Sequence, residues 1–248
     1  MHNISSQRIH LPETESTNLY ARTVSSAADI SIISTDYQTA GRGQRGNTWE
    51  SAEGKNLLFS LVIRPDSIPA SQQFALCELI SIALCDVLSR HTSDIRIKWP
   101  NDIYHRNHKL CGILIEHDLE GMHLSRTIIG VGLNVNQASF TSHAPNPISL
   151  FQILGHEVER EALLQEIIRH FTELYTQYTS PTPSLSRSAL HERYTTLLYR
   201  KGIEAMYHDT YGPFAATLRT VEPDGRLILE DQQGTSRSYL FKEVTYEL

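Results

Sequence analysis

Short apolar runs in the first half of the chain alternate with one longer helical stretch. Four runs are rich in β-branched and aliphatic residues, which favours strands; they cover residues 30–37, 56–63, 94–99 and 127–136. A further run, 109–116, follows the polar tip 105–108 and predicts a return strand that forms a hairpin with 94–99. Residues 70–90 place apolar side chains at helical spacing, which predicts a helix packed on a sheet.

The second half of the chain changes its pattern at about residue 199. Before that point, residues 161–178 form a clear amphipathic helix, and a shorter helix is expected near 188–198. Beyond it, short apolar runs separated by turn residues predict a small all-β, barrel-like module, with strands at 203–207, 215–221, 226–230, 236–240 and 242–246. We therefore expect an α+β domain over residues 1–198 and a β-barrel-like domain over 199–248.

Composition and charge exclude several classes of protein. With 248 residues, 40% apolar and 20% charged, the chain can bury a substantial core. A net charge of −6 without a long basic run argues against a non-specific nucleic-acid binder. The most apolar stretch, 75–88, is interrupted by three polar residues, and no segment resembles a signal peptide, so we expect a cytoplasmic protein that does not span a membrane. Cys77, Cys85 and Cys111 lie in apolar runs and predict reduced core cysteines.

The segment Gly41-Arg42-Gly43-Gln44-Arg45-Gly46-Asn47-Thr48-Trp49 is the strongest candidate for chemistry. It follows the predicted strand 30–37 and holds three glycines and two arginines. Glycine lets a backbone approach a ligand closely, and arginine offers a planar fork of donors to phosphate or carboxylate. The segment is thus typical of a loop that closes over an anion, although a solvated surface loop has the same composition.

Ser16, Thr17 and Asn18 precede a predicted helix start and permit two interpretations. Serine, threonine and asparagine are common N-caps, because their side-chain oxygens accept the first free backbone N–H groups. Three adjacent hydrogen-bonding side chains at a helix start can also hold a polar ligand. The local sequence leaves both interpretations open.

Four stretches considered together resemble a known family. They are the loop at 41–49, Lys98-Trp99-Pro100-Asn101-Asp102, Lys109-Leu110-Cys111-Gly112-Ile113-Leu114-Ile115-Glu116, and Gly130-Val131-Gly132-Leu133-Asn134-Val135-Asn136. In this order and spacing the chain resembles biotin protein ligases, also called biotin–[acetyl-CoA-carboxylase] ligases, from residues 16–18 through the β module. The resemblance implies a mixed sheet flanked by helices, the class II synthetase-like catalytic domain that binds biotin and ATP.

The resemblance also implies a reaction in two steps. The carboxylate of biotin attacks the α-phosphate of ATP, which is accompanied by Mg²⁺, and gives biotinyl-5′-AMP and pyrophosphate. A lysine of a biotin carboxyl carrier protein domain then attacks the activated acyl carbon. No enzyme nucleophile is needed, which agrees with the lack of a convincing nucleophile–base set in the sequence.

Residue roles follow from the same resemblance. Lys109, Arg42 and Arg45 are the predicted catalytic residues. The predicted biotin-binding residues are Ser16, Thr17, Asn18, Gln38, Arg42, Gly43, Gln44, Lys109, Gly112 and Ile113, and the predicted ATP-binding residues are Arg42, Arg45, Trp49, Lys98, Asn101, Lys109 and Asn134. Lys98 and Asp102 have an equally good structural interpretation, in which the turn is held by its own side chains. No metal ligands are assigned, because the twelve histidines lack zinc-like spacing.

Two positions depart from the family pattern, and one domain is not expected. Gln44 replaces a third arginine, which removes a charge that would help to retain the adenylate; Cys111 replaces a small residue. Some relatives carry an N-terminal DNA-binding domain, whereas the first motif here begins by residue 16. We therefore expect a ligase without a repressor role that does not bind DNA, as a monomer or homodimer.

Two other functions remain compatible with the sequence. A lipoate- or octanoate-protein ligase has the same fold class, although its Arg-rich, triple-glycine motif is missing here. A non-catalytic biotin sensor would keep the pocket but would have no need of Lys109. Consumption of ATP separates an enzyme from a sensor.

Overall fold

Two β-sheets organise the chain. The structure, a computed structural model, describes residues 4–44, 47–141 and 146–247. The larger sheet contains β1 Ser6–Thr14, β2 Ile30–Gln38, β3 Leu57–Ile63, β4 Ile95–Lys98, β5 Asp102–His105, β6 His108–Glu120 and β7 His123–Leu133. Its order is β1-β2-β3-β7-β6-β5-β4; β1 and β2 run parallel and the other neighbours antiparallel. The predicted mixed sheet is thereby confirmed.

The predicted hairpin between residues 94–99 and 109–116 is wrong. Strand β4 pairs with β5, and β5 pairs with β6, so three strands form a meander. The turn at 100–101 is so short that strand β5 begins directly after it. Ile103 and Tyr104 of β5 are both buried. Strand β1 was not predicted either, because its polar, half-exposed residues give only a weak alternation at the sheet edge.

In the described part of the chain, five α-helices cover the sheet and its ends: α1 Thr17–Ala21, α2 Phe74–Leu88, α3 Leu150–Leu154, α4 Arg160–Thr179 and α5 Arg187–Thr196. Helix α2 packs against α4, α5 and strands β4 and β5, and 13 of its 15 residues are buried. The stretch Ala70–Leu88 is long and apolar enough to cross a membrane by composition alone, but 72% of it lies inside the protein. That burial explains its apolar composition as that of a core helix.

The three cysteines are free and buried, as predicted. Burial raises the pKa of the Cys77, Cys85 and Cys111 thiols, so these side chains are unreactive core residues.

The C-terminal module is a five-stranded antiparallel sheet, which confirms the predicted all-β module. Its strands are β8 Glu204–Asp209, β9 Gly212–Val221, β10 Leu227–Asp231, β11 Ser236–Tyr239 and β12 Thr245–Tyr246. Their order is β11-β10-β9-β8-β12. The module contacts the end of β4: Trp99 Nε1 donates to Gly225 O at 2.8 Å, and the ring centres of Trp99 and Phe241 lie 5.9 Å apart. The boundary between residues 198 and 199 stays a prediction.

Candidate functional site

A cavity of about 500 Å³ lies between the larger sheet and the C-terminal module. This volume suits a small-molecule ligand. Its wall brings together thirteen of the predicted site residues: Ser16, Thr17, Asn18, Gln38, Arg42, Gly43, Gln44, Trp49, Lys98, Asn101, Lys109, Gly112 and Ile113. Their roles remain predictions, but the residues of four separate motifs do share one cavity.

Residues 41–43 and 47–49 of the glycine–arginine loop pair with each other. Arg42 and Thr48 form an antiparallel bridge, and Gly43 N donates to Asn47 O at 2.7 Å. A Cβ at Gly41 would lie 2.6 Å from the carbonyl oxygen of Trp49, so no other residue fits there without movement. Arg42 is exposed and lines the cavity. The predicted catalytic and ATP-binding residue Arg45 lies outside the described residues, and its role stays a prediction.

The side chain of Trp49 packs the loop against the larger sheet. Its indole covers Gly112 and Gly132, which are register partners on β6 and β7. A Cβ at either glycine would lie within 2.8 Å of the ring, so the two glycines form a flat seat for the indole. The close approach at Gly132 therefore comes from a side chain of the same protein. Lys109 Nζ lies 5.8 Å from the centre of this ring.

Gly132→Ala is expected to lift the indole off its seat. The new Cβ would lie 2.5 Å from Trp49 Cε2, whereas the backbone of residue 132 has no positive φ and accepts alanine. We expect a red shift of tryptophan emission as the ring gains water, and a destabilisation of about 1–3 kcal/mol from overpacking. Ser125→Ala on the same strand is the control; an emission spectrum equal to that of the wild type would contradict this position of Trp49.

Basic side chains converge around one carboxylate in the cavity. Lys109 Nζ lies 2.7 Å from Asp102 Oδ2, and Lys98 is the register partner of Asp102 on β4. Lys98 Nζ lies 4.9 Å from the centre of the Tyr246 ring, and burial lowers the pKa of Lys98. With Arg42 nearby in the wall, positive groups outnumber Asp102, so the cavity suits an anion.

The N-cap interpretation of the first motif does not describe its side chains. Ser16 is the N-cap residue of α1, but its hydroxyl makes no capping bond. Thr17 and Asn18 instead face the sheet: Thr17 N donates to Gln38 Oε1 at 2.8 Å, and Asn18 Nδ2 donates to Glu116 Oε2 at 2.9 Å. All three residues of the motif are buried and line the cavity.

The two predicted asparagines have different positions. Asn101 lines the cavity and donates from Nδ2 to Ile113 O at 3.1 Å, which fastens the turn before β5 to β6. Asn134 does not line the cavity. Its Nδ2 donates to Ile148 O at 3.0 Å, and its backbone N donates to Leu110 O, so it joins the end of β7 to the segment before α3. Its predicted role in binding ATP stays a prediction.

Several wall residues were not found from the sequence. The C-terminal module contributes Phe241, Lys242, Val244, Thr245 and Tyr246 to the cavity. Behind the wall, Ser60 lies 2.8 Å from Thr17 Oγ1 and 2.7 Å from Asn18 Oδ1. Ser60 lies within the apolar run 56–63, which predicts only a strand, and no sequence pattern connects residues 241–246 with the motifs of the larger sheet. Within the described ranges, no group of three or more His, Cys, Asp or Glu side chains is arranged to hold a metal ion.

Comparison with known proteins identifies the family. Residues 8–134 match the biotin/lipoate A/B protein ligase family. The chain is 32% identical over 221 residues to the bifunctional ligase/repressor BirA of Bacillus spizizenii, covering 86% of this chain and 65% of that relative. It is 30% identical over 177 residues to the biotin–[acetyl-CoA-carboxylase] ligase of Paracoccus denitrificans, covering 67% of this chain and 72% of the relative.

A solved structure shows the same fold. Biotin protein ligase from Aquifex aeolicus, in complex with biotin and ATP, superposes with a TM-score of 0.80 at 23% identity, covering 97% of this chain and 98% of the other. The chain spans only 65% of the length of the Bacillus BirA relatives that it matches. The family match covers half of the chain and includes the motifs from the first one up to Asn134. The chain therefore belongs to the biotin/lipoate A/B protein ligase family.

Proposed function

We propose that this protein is an ATP-dependent biotin protein ligase. The observation that carries the proposal is that one cavity is lined by both cationic and uncharged polar side chains. Lys98, Lys109 and Arg42 suit phosphate and carboxylate groups, whereas Thr17 and Gln38 offer hydrogen bonds to an uncharged polar head. The names of the relatives from Bacillus and Paracoccus support the same activity.

In the first step, two anions must meet. The carboxylate of biotin attacks the α-phosphorus of MgATP, the bond from the α-phosphorus to the bridging oxygen breaks, and pyrophosphate leaves. Lys109 Nζ is the cation we place beside both the carboxylate and the α-phosphate, where it offsets their repulsion and the charge that develops in the transition state. Its partner Asp102, 2.7 Å away, holds the lysine in the cavity before the substrates bind.

In the second step, a lysine amine of a biotin carboxyl carrier protein domain attacks the acyl carbon of biotinyl-5′-AMP. An amide bond forms and AMP leaves. The intermediate is a mixed anhydride, so the site must exclude water until the acceptor arrives. The loop 41–49, closed over Gly112 and Gly132 by Trp49, is the element we propose for that task.

Pyrophosphate exchange into ATP tests the proposal directly. The purified protein is given ATP and labelled pyrophosphate with biotin, lipoate or octanoate. Exchange with biotin alone is expected. Exchange with lipoate or octanoate instead would assign the pocket to the related ligases, and no exchange with measurable biotin binding would indicate a sensor. Transfer to a purified carrier domain then tests the second step.

Arg42→Gly is expected to release biotinyl-5′-AMP, because the exposed arginine at the cavity wall supplies positive charge close to the phosphates. Free adenylate acylates lysines at random, so bystander proteins should become biotinylated. We expect this labelling to exceed that of the wild type by at least about 10-fold, which corresponds to a loss of about 1.4 kcal/mol in the binding free energy of the adenylate. Arg64→Gly, an exposed arginine that donates to Ser26 O, is the control. Labelling confined to the carrier lysine would contradict this role for Arg42.

A further inference from the structure

Helix α5 contacts both helix α2 and the C-terminal module through one histidine, His191. Its Nδ1 lies 2.6 Å from Glu78 Oε1 on α2, and its Nε2 lies 2.8 Å from Val221 O at the end of β9. The Glu78 side chain is fully buried and also binds Arg187 Nη1, whereas 18% of the His191 side chain is exposed. The imidazole ring thus joins two elements that are far apart in the sequence.

The hydrogen bonds of His191 require a proton on each side of the ring. Val221 O is a carbonyl oxygen and only accepts, so Nε2 carries a proton. A neutral imidazole has one N–H, so Nδ1 would then present a lone pair to Glu78 Oε1 at 2.6 Å. Two lone pairs at that distance repel each other, so a second proton lies between Nδ1 and Oε1. It belongs to the pair, whether the pair is written as imidazolium and carboxylate or as imidazole and carboxylic acid.

The groups around the Glu78–His191 pair come from three helices and the module. Arg187 places a positive charge beside Glu78, which favours the ionic form of the pair, and its Nη2 also donates to Pro223 O at 2.8 Å. The other titratable side chains that interact electrostatically with Glu78 are Cys77 on α2, Tyr178 on α4 and Tyr194 on α5. Burial raises the pKa of all three, so they are uncharged near neutral pH. The charged residues of the adjoining turn in the module, Glu222, Asp224 and Arg226, are exposed.

Loss of the shared proton leaves His191 one N–H for two acceptors. The Glu78 carboxylate is charged, and a hydrogen bond to a charged acceptor is about twice as strong as one to a neutral carbonyl. The remaining proton therefore lies on Nδ1, and Nε2 presents a lone pair to Val221 O. The contact with α2 is kept, whereas the contact with the module becomes repulsive.

We propose that His191 is a positioning residue whose contact with the C-terminal module depends on this proton and opens as the pH rises above neutral. The module lines the cavity with residues between 241 and 246, and the turn after Val221 accepts from Trp99 Nε1 through Gly225 O. Proton loss therefore loosens the turn that joins one wall of the cavity to the larger sheet. This behaviour does not depend on which ligand the cavity binds, so it goes beyond the proposed function.

Folding takes up one proton at the Glu78–His191 pair above about pH 6.5, because an unfolded histidine and an unfolded glutamate have both lost theirs there. A group that binds more protons in the native state stabilises the protein most at low pH. Its contribution is complete below about pH 6.5 and is lost as the pH rises, until the native pair itself releases the proton. Over that range the unfolding equilibrium constant should increase by up to about tenfold per pH unit.

Urea unfolding as a function of pH measures this uptake, with Glu78→Gln as the matched variant. The amide of Glu78→Gln donates to Nδ1 of a neutral imidazole and accepts from Arg187, so the hydrogen bonds are kept without the extra proton. The ratio of the wild-type unfolding constant to that of the variant should rise by at least about tenfold from about pH 6.5 to about pH 8.5. A constant ratio would overturn the proposal.

His191→Gln gives a second test from the more accessible partner, and it should show the same rise in the ratio. His156→Gln removes an exposed histidine and should retain the wild-type profile. His170, which lies 2.6 Å from Asp86 Oδ2, is present in all of these proteins, so its own titration cancels in the ratio.

Nitrogen NMR of the imidazole ring tests which contact opens. In protein labelled with ¹⁵N-histidine, the His191 signals are assigned by their absence from the spectrum of His191→Gln. We expect Nε2 to lose its proton as the pH rises, while Nδ1 still carries one at about pH 9. A protonated Nε2 at that pH would show that the contact with Val221 O persists and would refute its release.

Discussion

Lys109→Ala is expected to lower biotin-dependent pyrophosphate exchange by about 10²- to 10³-fold while the protein stays folded. Removal of one preorganised group that stabilises developing charge typically has an effect of this size. Here the effect has a second source, because Asp102, 2.7 Å from Lys109 Nζ, would lose its partner and face the anionic substrates with its own negative charge. Initial rates at saturating MgATP and varied biotin measure the effect.

Lys201→Ala is the matched control, since Lys201 is exposed and does not line the cavity. Its exchange rate should equal that of the wild type. Circular dichroism and the unfolding midpoint of Lys109→Ala should stay near wild-type values, because Lys109 is only partly buried. A Lys109→Ala rate within about threefold of the wild-type rate would refute its assigned role. Such a difference corresponds to less than half of the change in activation free energy that makes a reaction tenfold slower.

The largest effect on stability is expected from Glu78, a fully buried carboxylate on helix α2. Arg187 Nη1 and His191 Nδ1 on α5 both bind it, the histidine at 2.6 Å. Burial raises the pKa of the Glu78 carboxyl, and the interactions with Arg187 and His191 oppose that rise. The same partners also reach the C-terminal module: Arg187 Nη2 donates to Pro223 O at 2.8 Å, and His191 Nε2 lies 2.8 Å from Val221 O.

Glu78→Ala should therefore destabilise the protein by about 3 kcal/mol. Breaking a buried ion pair by removing one partner costs about 3–5 kcal/mol, and the lower end applies because Arg187 and His191 keep some access to water. Urea unfolding followed by fluorescence measures the change. Glu192→Ala, an exposed glutamate on α5, should shift stability by no more than about 0.5 kcal/mol.

The same variant should also bind its substrates more weakly, even at temperatures well below its unfolding midpoint. The turn that follows Val221 also receives the hydrogen bond from Trp99 Nε1 to Gly225 O, so it anchors the module whose residues 241–246 line the cavity. We expect a higher KM for ATP or biotin in Glu78→Ala at temperatures where the protein is folded. Unchanged KM values together with the lower stability would mean that this buried cluster supports the fold alone.

Local patterns in the sequence predicted most elements of the fold. Helix α2 and strands β2, β3 and β7 were visible because runs of apolar residues at one period persist over a whole element. Strands β5 and β1 were not predicted, because β5 has only four residues and β1 is a mostly polar edge strand, so neither shows a clear period. The meander of β4, β5 and β6 depended on a turn too short to be recognised as a break between strands.

Short motifs in the sequence by themselves determined the family and the candidate residues of the larger sheet, since glycine, arginine and lysine have particular backbone and charge properties wherever they occur. Only the tertiary structure decided which groups meet. Gly130 admits Asn18 to Ser60 because β3 and β7 are in register there, and Trp99 meets Gly225 across 126 residues. It also separated Asn101 in the cavity from Asn134 outside it. Such contacts depend on strand register and packing over long sequence distances, which no local periodicity encodes.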